Sequence, residues 1–292
     1  MPDWQAVAAE LGAHGVRVDR DTPPRATGGG DISAAWRLAT ADGAVFVKTG
    51  PPAAEDMFQA ESEGLAAIAA TRSVRVPRPV CTAAIPGGSF VAMEWLDLSA
   101  ADAAGNRALG GQLAALHRHT ADTFGWHRDN TIGRTPQPNR QVDDWTAFYR
   151  EQRLRHQLRL ADANGYGGAL QADGERLLAG LDALFDGYRP QPSLLHGDLW
   201  GGNWAVSGGH PVIFDPATYY GDRETDLAMT RLFGGFSGDF YAAYEAAWPL
   251  ADGADRRLPL YQLYHVLNHL NLFGSGYLAR ARALLAELLL IM

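Results

Sequence analysis

One stretch constrains this chain more than any other: His196-Gly197-Asp198-Leu199-Trp200-Gly201-Gly202-Asn203, followed by a short hairpin ending at Ile213-Phe214-Asp215. The hairpin is read from Ala205-Val206, the turn Ser207-Gly208-Gly209 and the apolar run that starts at Pro211. It delivers Asp215 at a strand end, downstream of an Asp and an Asn five positions apart. Short, oxygen-bearing side chains of this kind suit a hard cation such as Mg²⁺. Phosphoryl transfer asks for little more. It needs one carboxylate to accept the proton of the attacking hydroxyl, and oxygen ligands that hold Mg²⁺ across the phosphates. Asp, Asn and Gly are ordinary loop residues when taken singly, so the order and spacing carry the expectation. Asp198 is accordingly the candidate base, and Asn203 and Asp215 are the candidate metal ligands.

The contacts for a phosphoryl donor such as ATP should lie elsewhere, and the first third of the chain offers them. Gly28-Gly29-Gly30 can let backbone amides come close to phosphates, although three glycines alone also make a flexible turn. Strand signals follow around Trp36-Arg37-Leu38 and from Ala44 to Lys48, separated by the hairpin pair Asp42-Gly43. Lys48 is the only lysine, and the other 24 of the 25 basic residues are arginine. A lone lysine in such a chain marks a place where arginine's wide fork would not fit. A compact ammonium is the usual point-charge ligand for phosphate. Residues 54–70 have helical composition and carry Glu61 and Glu63, either of which could pair with Lys48 or face solvent. Ser89 to Glu94 reads as a further strand.

From about residue 97 the pattern turns helical, with Leu109, Leu113 and Leu116 on one face and Leu177, Leu181 and Leu184 on another. Asp144 can cap a helix that carries Trp145, Phe148 and Tyr149. The expected fold is α+β in two lobes joined near Glu94 to Leu98, which 292 residues can support. Residues 1–95 would form a small antiparallel-sheet lobe that binds nucleotide. Residues 96–292 would form a mainly helical lobe for catalysis and substrate.

Other residues admit two readings. Asp222, Glu224 and Asp226 could line a site for a cationic substrate, with Glu224 the substrate candidate; Asp226 suits a structural role, capping a helix and bracing the catalytic loop. Trp200 and Trp204 flank Asn203 and could offer aromatic faces to a sugar, or simply pack. His265 and His269 stand at i, i+4 without a metalloprotease glutamate, so they are read as packed, as are His117 and His119. The one cysteine, Cys81, excludes an intramolecular disulfide framework. A net charge of −8 argues against nonspecific nucleic-acid binding. No apolar segment is long enough for a membrane span and the N-terminus does not read as a signal peptide, so the expected compartment is the cytoplasm.

With these residues in place, the sequence resembles the fructosamine kinase (ketosamine kinase) family, within the aminoglycoside-phosphotransferase-like kinases. The resemblance rests on GGGDIS at Gly28, MFQAESEGL at Met57, DNTIGRTPQPN at Asp129 and DWTAFYREQRL at Asp144. It rests most on LLHGDLWGGNW at Leu194 and IFDPATYYGDRETDLAMT at Ile213. It implies a two-lobed protein-kinase-like fold and ATP- and Mg²⁺-dependent phosphorylation of a ketosamine at the sugar O3 hydroxyl. The product would release the free amine, which links the activity to deglycation. The acceptor would be a small glycated amine or a glycated protein. The resemblance also favours Glu61 as the partner of Lys48 and places adenine on backbone groups around Met93, Glu94 and Leu96. Two rival readings stay open. One is a related kinase for an aminoglycoside, a choline-like alcohol or a free sugar; the other is a nucleotide-binding regulator without turnover.

Overall fold

In the computed structural model, which describes residues 2–28 and 33–292, period-two alternation in one strand organises the first lobe. Helix α1 (Trp4–Ala13) is capped by Asp3, whose carboxylate accepts from Gln5 and Ala6 N–H at 3.0 Å. Strands β1 (Arg25–Thr27), β2 (Ala34–Thr40) and β3 (Gly43–Gly50) follow, then helix α2 (Glu55–Thr71) and strands β4 (Pro79–Ile85) and β5 (Gly88–Glu94). They form one antiparallel sheet in the order β1-β2-β3-β5-β4. On β3, Val45 and Val47 pack with Val7 and Leu11 of α1, while Phe46 packs on the opposite face with Phe58 and Leu65 of α2. Lys48 shares Phe46's face and is therefore turned towards α2.

Strand β4 was not among the strands expected from the sequence, because Pro77 and Pro79 lack the N–H that a strand ladder uses. Pro79 is tolerated as the first residue of an edge strand, where no ladder partner needs its missing N–H, and the register shifts just after it. Cys81 is buried on this strand.

The second lobe begins with α3 (Ala103–His117), capped by Asp102, and the hairpin β6 (Asn130–Ile132) and β7 (Thr135–Gln137). Helix α4 (Trp145–Phe148), capped by Asp144 as expected, runs through a π-helical stretch (Tyr149–Arg155) into α5 (His156–Ala163). Then come α6 (Ala169–Gly180), β8 (Ser193–Leu195), β9 (Trp204–Ser207), β10 (His210–Ile213) and β11 (Tyr219–Gly221). Helices α7 (Glu224–Leu232), α8 (Gly238–Ala247), α9 (Ala254–Phe273) and α10 (Leu278–Ile291) complete the chain. Leu260, Leu263, Leu267 and Leu270 give α9 a fully buried stripe at helical spacing. The buried Arg153 guanidinium lies 4.0 Å over the Tyr219 ring and donates to Pro138 O and Asn139 Oδ1. Among the described residues, no helix is long and apolar enough to cross a membrane.

His265 lies within this core, and its Nδ1 has no partner among the described residues. Burial pushes its imidazole down to about 3, assisted by the neighbouring His269. An unfolded histidine titrates near 6.5, so the folded state resists a proton that the unfolded state accepts. This residue's contribution is complete above pH 6.5 and is lost as pH falls towards 3. The stability of the wild type relative to His265→Asn should therefore drop on acidification, by about 1.4 kcal/mol per pH unit. Denaturant titrations between pH 7.5 and 5 measure this, and parallel curves for the two proteins would refute it.

Candidate active site

The catalytic-loop residues are held by hydrogen bonds that leave Asp198 facing a cleft. Both carboxylate oxygens of the buried Asp226 accept backbone donors, from His196 N and Gly197 N at 2.8 Å each. Asp226 lies in the first turn of α7, two residues past its start, so it braces the loop without capping the helix. His196 Nδ1 accepts from Asp198 N at 3.2 Å, which leaves its Nε2–H to donate to Phe214 O at 2.9 Å. Burial pushes this imidazole down, in keeping with a neutral ring. One side chain thus ties the loop to the residue before Asp215. Gly197 is required here: its φ is +83°, and a Cβ would collide with the Ala217 carbonyl.

Asn203 donates through Nδ2 to Asp198 O at 2.9 Å, and Phe214 N bonds to Asn203 O at 3.0 Å. These contacts leave Asn203 Oδ1 without a protein donor among the described residues. Asp215 adopts φ +59°, one of two positive values on non-glycine residues among the described residues, and it precedes Pro216. Left-handed backbone before a proline is strained, and strain of this kind concentrates at functional sites.

Lys48 Nζ stands 2.6 Å from both Glu61 Oε1 and Asp215 Oδ1, joining the two lobes through one ammonium. Glu61 reaches it because it lies between Phe58 and Leu65, at i+3 and i−4, on the buried stripe of α2. Glu63 faces elsewhere and pairs with Arg128. Burial alone would lower the Lys48 ammonium, but the charges of Asp215 and Glu61 outweigh it and hold it above the ordinary lysine value. Burial likewise raises Glu61, with Lys48 opposing. Asp198 is pushed up to about 7 by burial, then by the charges of Asp215 and Asp226.

These groups line a cleft of about 420 Å³ that holds Lys48, Glu61, Asp198, Trp200, Asn203 and Asp215 together. Its far wall was not foreseen: Asn130 from β6, Asn268 and His269 from α9, and Phe233, Phe273 and Tyr277. The His269 ring lies 4.7 Å from Phe233, 5.4 Å from Phe273 and 5.1 Å from Tyr277. In the sequence Asn268 and His269 do not stand out, because α9 also carries Gln262, His265 and Asn271 among its apolar residues. His117, by contrast, is buried between Tyr244 and Asp226, consistent with packing.

Two substrate candidates are not brought to the cleft. Glu224 is buried against Arg257 in a two-pronged ion pair, both contacts 2.8 Å, because its position on α7 turns it away from Asp198. Trp204 is packed in the core, stacked on Phe236 with its indole N–H on Gly235 O. Trp200 is 40% exposed and lines the cleft. Gly28 is exposed just past β1; Gly29 and Gly30 lie outside the described residues. Met93, Glu94 and Leu96 do not line this cleft. Glu94 pairs with Val45 on β3, three residues and roughly 10 Å from Lys48.

A sequence model of the fructosamine kinase family matches residues 3–291. The chain belongs to this family. A probable ketoamine kinase of Synechocystis is 42% identical over 290 residues, covering 99% of this chain and 97% of that one. A chloroplastic protein-ribulosamine 3-kinase of Arabidopsis thaliana is 43% identical, covering 90% and 81%. A crystal structure of a putative fructosamine-3-kinase from Haemophilus somnus superposes with a TM-score of 0.89 at 27% identity, covering 98% and 97%. The fold extends to an aminoglycoside phosphotransferase solved with ADP and hygromycin B, at a TM-score of 0.64 and 15% identity over 98% of this chain and 97% of that one. The two-lobed protein-kinase-like fold is therefore the family's own, and the chain is a kinase.

Proposed function

We propose that this kinase transfers the γ-phosphoryl group of ATP to the O3 hydroxyl of a ketosamine, giving a phosphorylated sugar amine that breaks down to the free amine. The observation that carries this reading is the meeting of Asp198, Asn203, Asp215 and Lys48 in one cleft, in a chain whose relatives are named ketoamine and ribulosamine kinases. Asp198 would accept the proton of the O3 hydroxyl, and burial, which raises its carboxyl above the usual range, makes it a stronger acceptor. Lys48, held by Glu61, would order the phosphates of the donor. Asn203 Oδ1 and the free oxygen of Asp215 fit Mg²⁺, a hard cation that keeps several waters and takes few protein ligands. When bound, Mg²⁺ neutralises charge that develops on the phosphates.

Adenine would lie between the lobes of residues 1–95 and 96–292, against the backbone around Met93, Glu94 and Leu96, with the Gly28-Gly29-Gly30 loop over the phosphates. Trp200 is the substrate contact retained from the sequence, with the sugar or its amine on the aromatic wall. The test is ATP consumption with Mg²⁺ on fructosyl-, ribulosyl- and erythrulosyl-lysine, kanamycin, choline and free fructose. Turnover confined to ketosamines supports the proposal. Turnover on another alcohol alone would discard the ketosamine assignment, and bound ATP with no turnover anywhere would favour a regulator.

A further inference from the structure

The face of α2 turned away from Lys48 carries a second set of contacts between the lobes. Asp56, Gln59 and Glu63, three and four residues apart, share one side of the helix. Arg128, just before β6, places one guanidinium nitrogen 3.0 Å from Glu63 Oε1 and another against Asp56 Oδ1. His127 Nε2 lies 3.0 Å from Glu63 Oε2, and Gln59 donates to Glu63 Oε1 at 3.0 Å. Burial alone would raise the Glu63 carboxyl, yet the donors from Gln59 and His127 and the charge of Arg128 hold it below the ordinary range.

The segment bearing Arg128 is itself fixed to the chain at and just before β11, a few residues past Asp215. Gly125 N bonds to Tyr220 O at 2.9 Å, and Asn130 Nδ2 bonds to Thr218 O at 2.8 Å. Between these anchors α2 comes close at Gly64, where a Cβ would stand 2.8 Å from Thr218 Oγ1. The buried stripe of Phe58, Leu65 and Ile68 sets the coarse rotation of α2, and packing at Gly64 sets how near it approaches. The clamp on the opposite side holds the fine rotation that aims Glu61 at Lys48. A planar fork holding two carboxylates two turns apart adds that restraint, and a lysine's single point charge would not.

We infer that Arg128 is a positioning residue for phosphoryl transfer: by clamping Asp56 and Glu63 it orients α2, hence Glu61, hence Lys48. The inference rests on the kinase reading of the cleft. It touches neither donor nor acceptor and acts only through α2.

The test compares the wild type with Arg128→Glu, which sets a third carboxylate against Asp56 and Glu63, and with Arg128→Glu combined with Glu63→Arg. Ketosamine-dependent ATP consumption gives kcat and KM, and hydrogen exchange reads residues 55–71 without substrate. The expected result is a loss of about tenfold in kcat for the single variant, with acceptor KM within about twofold. Exchange should quicken in residues 55–71, and the double variant should recover to within about threefold of wild type. Wild-type kcat in Arg128→Glu would overturn the inference, as would a double variant no better than the single. A lower Tm with kcat and α2 exchange unchanged would also overturn it, by reducing the cluster to ordinary stabilisation. If the wild type turned over no ketosamine, the proposed function would fail, while α2 exchange would still report on the clamp.

Discussion

Asp198→Asn should lower turnover by about 10²- to 10⁴-fold while leaving the nucleotide dissociation constant within about threefold of wild type. The amide fills the same space, so the loop should keep its shape. Asn203 Nδ2 bonds to the Asp198 backbone carbonyl at 2.9 Å and reaches the carboxylate only at 3.4 Å. What the substitution removes is the proposed proton acceptor, whose proton affinity is raised by burial and by the charges of Asp215 and Asp226. Lys48, Glu61 and Asp215 keep their contacts, so the groups assigned to the phosphates are untouched. Single-turnover phosphorylation and displacement of a fluorescent nucleotide separate the two effects. A variant as fast as wild type would remove Asp198 from the chemistry. Equal losses in rate and nucleotide affinity would make it a binding residue instead.

The spacing of Asp198, Asn203 and Asp215 was legible in the sequence because a hairpin of fixed length joins them, so chain order alone nearly sets their geometry. Lys48 was legible as the lone lysine at the end of a strand, whereas the residues left Glu61 and Glu63 both open and only the family resemblance favoured Glu61. The far wall of the cleft was not legible. Asn130 and His269 are brought together only by packing of β6 and α9 against the loop, and nothing local marks a cleft residue apart from a core one. Trp200 and Trp204 show the same limit, since four positions separate an exposed ring from a buried one only because β9 begins at Trp204. The carboxylates after Asp215 divided on helix phase. Asp226 faces the loop backbone, whereas Glu224, two residues earlier on α7, meets Arg257.

That division makes Asp226 the position where stability and activity should fall together. Its carboxylate accepts three donors, from His196 N, Gly197 N and His117 Nε2, the last at 3.1 Å. Burial alone would raise this carboxyl, but the bonds from His117 and Gly197 hold it below the ordinary range. His117 in turn takes a hydrogen bond at Nδ1 from Tyr244 at 2.8 Å, so the brace extends into the core between α3 and α8. Asp226→Ala would leave all three donors buried without an acceptor and should cost about 3–5 kcal/mol of stability. Asp226→Asn provides the finer test. It keeps one oxygen acceptor but sets an amide N–H against a backbone N–H, so it should fold with a loss of about 1–3 kcal/mol. Its kcat should fall further than its nucleotide affinity, because the displaced backbone is the segment that aims Asp198. Denaturant unfolding and single-turnover kinetics on both variants check the pair of effects. If Asp226→Asn lost stability yet kept the wild-type kcat, Asp226 would brace the fold without positioning the base.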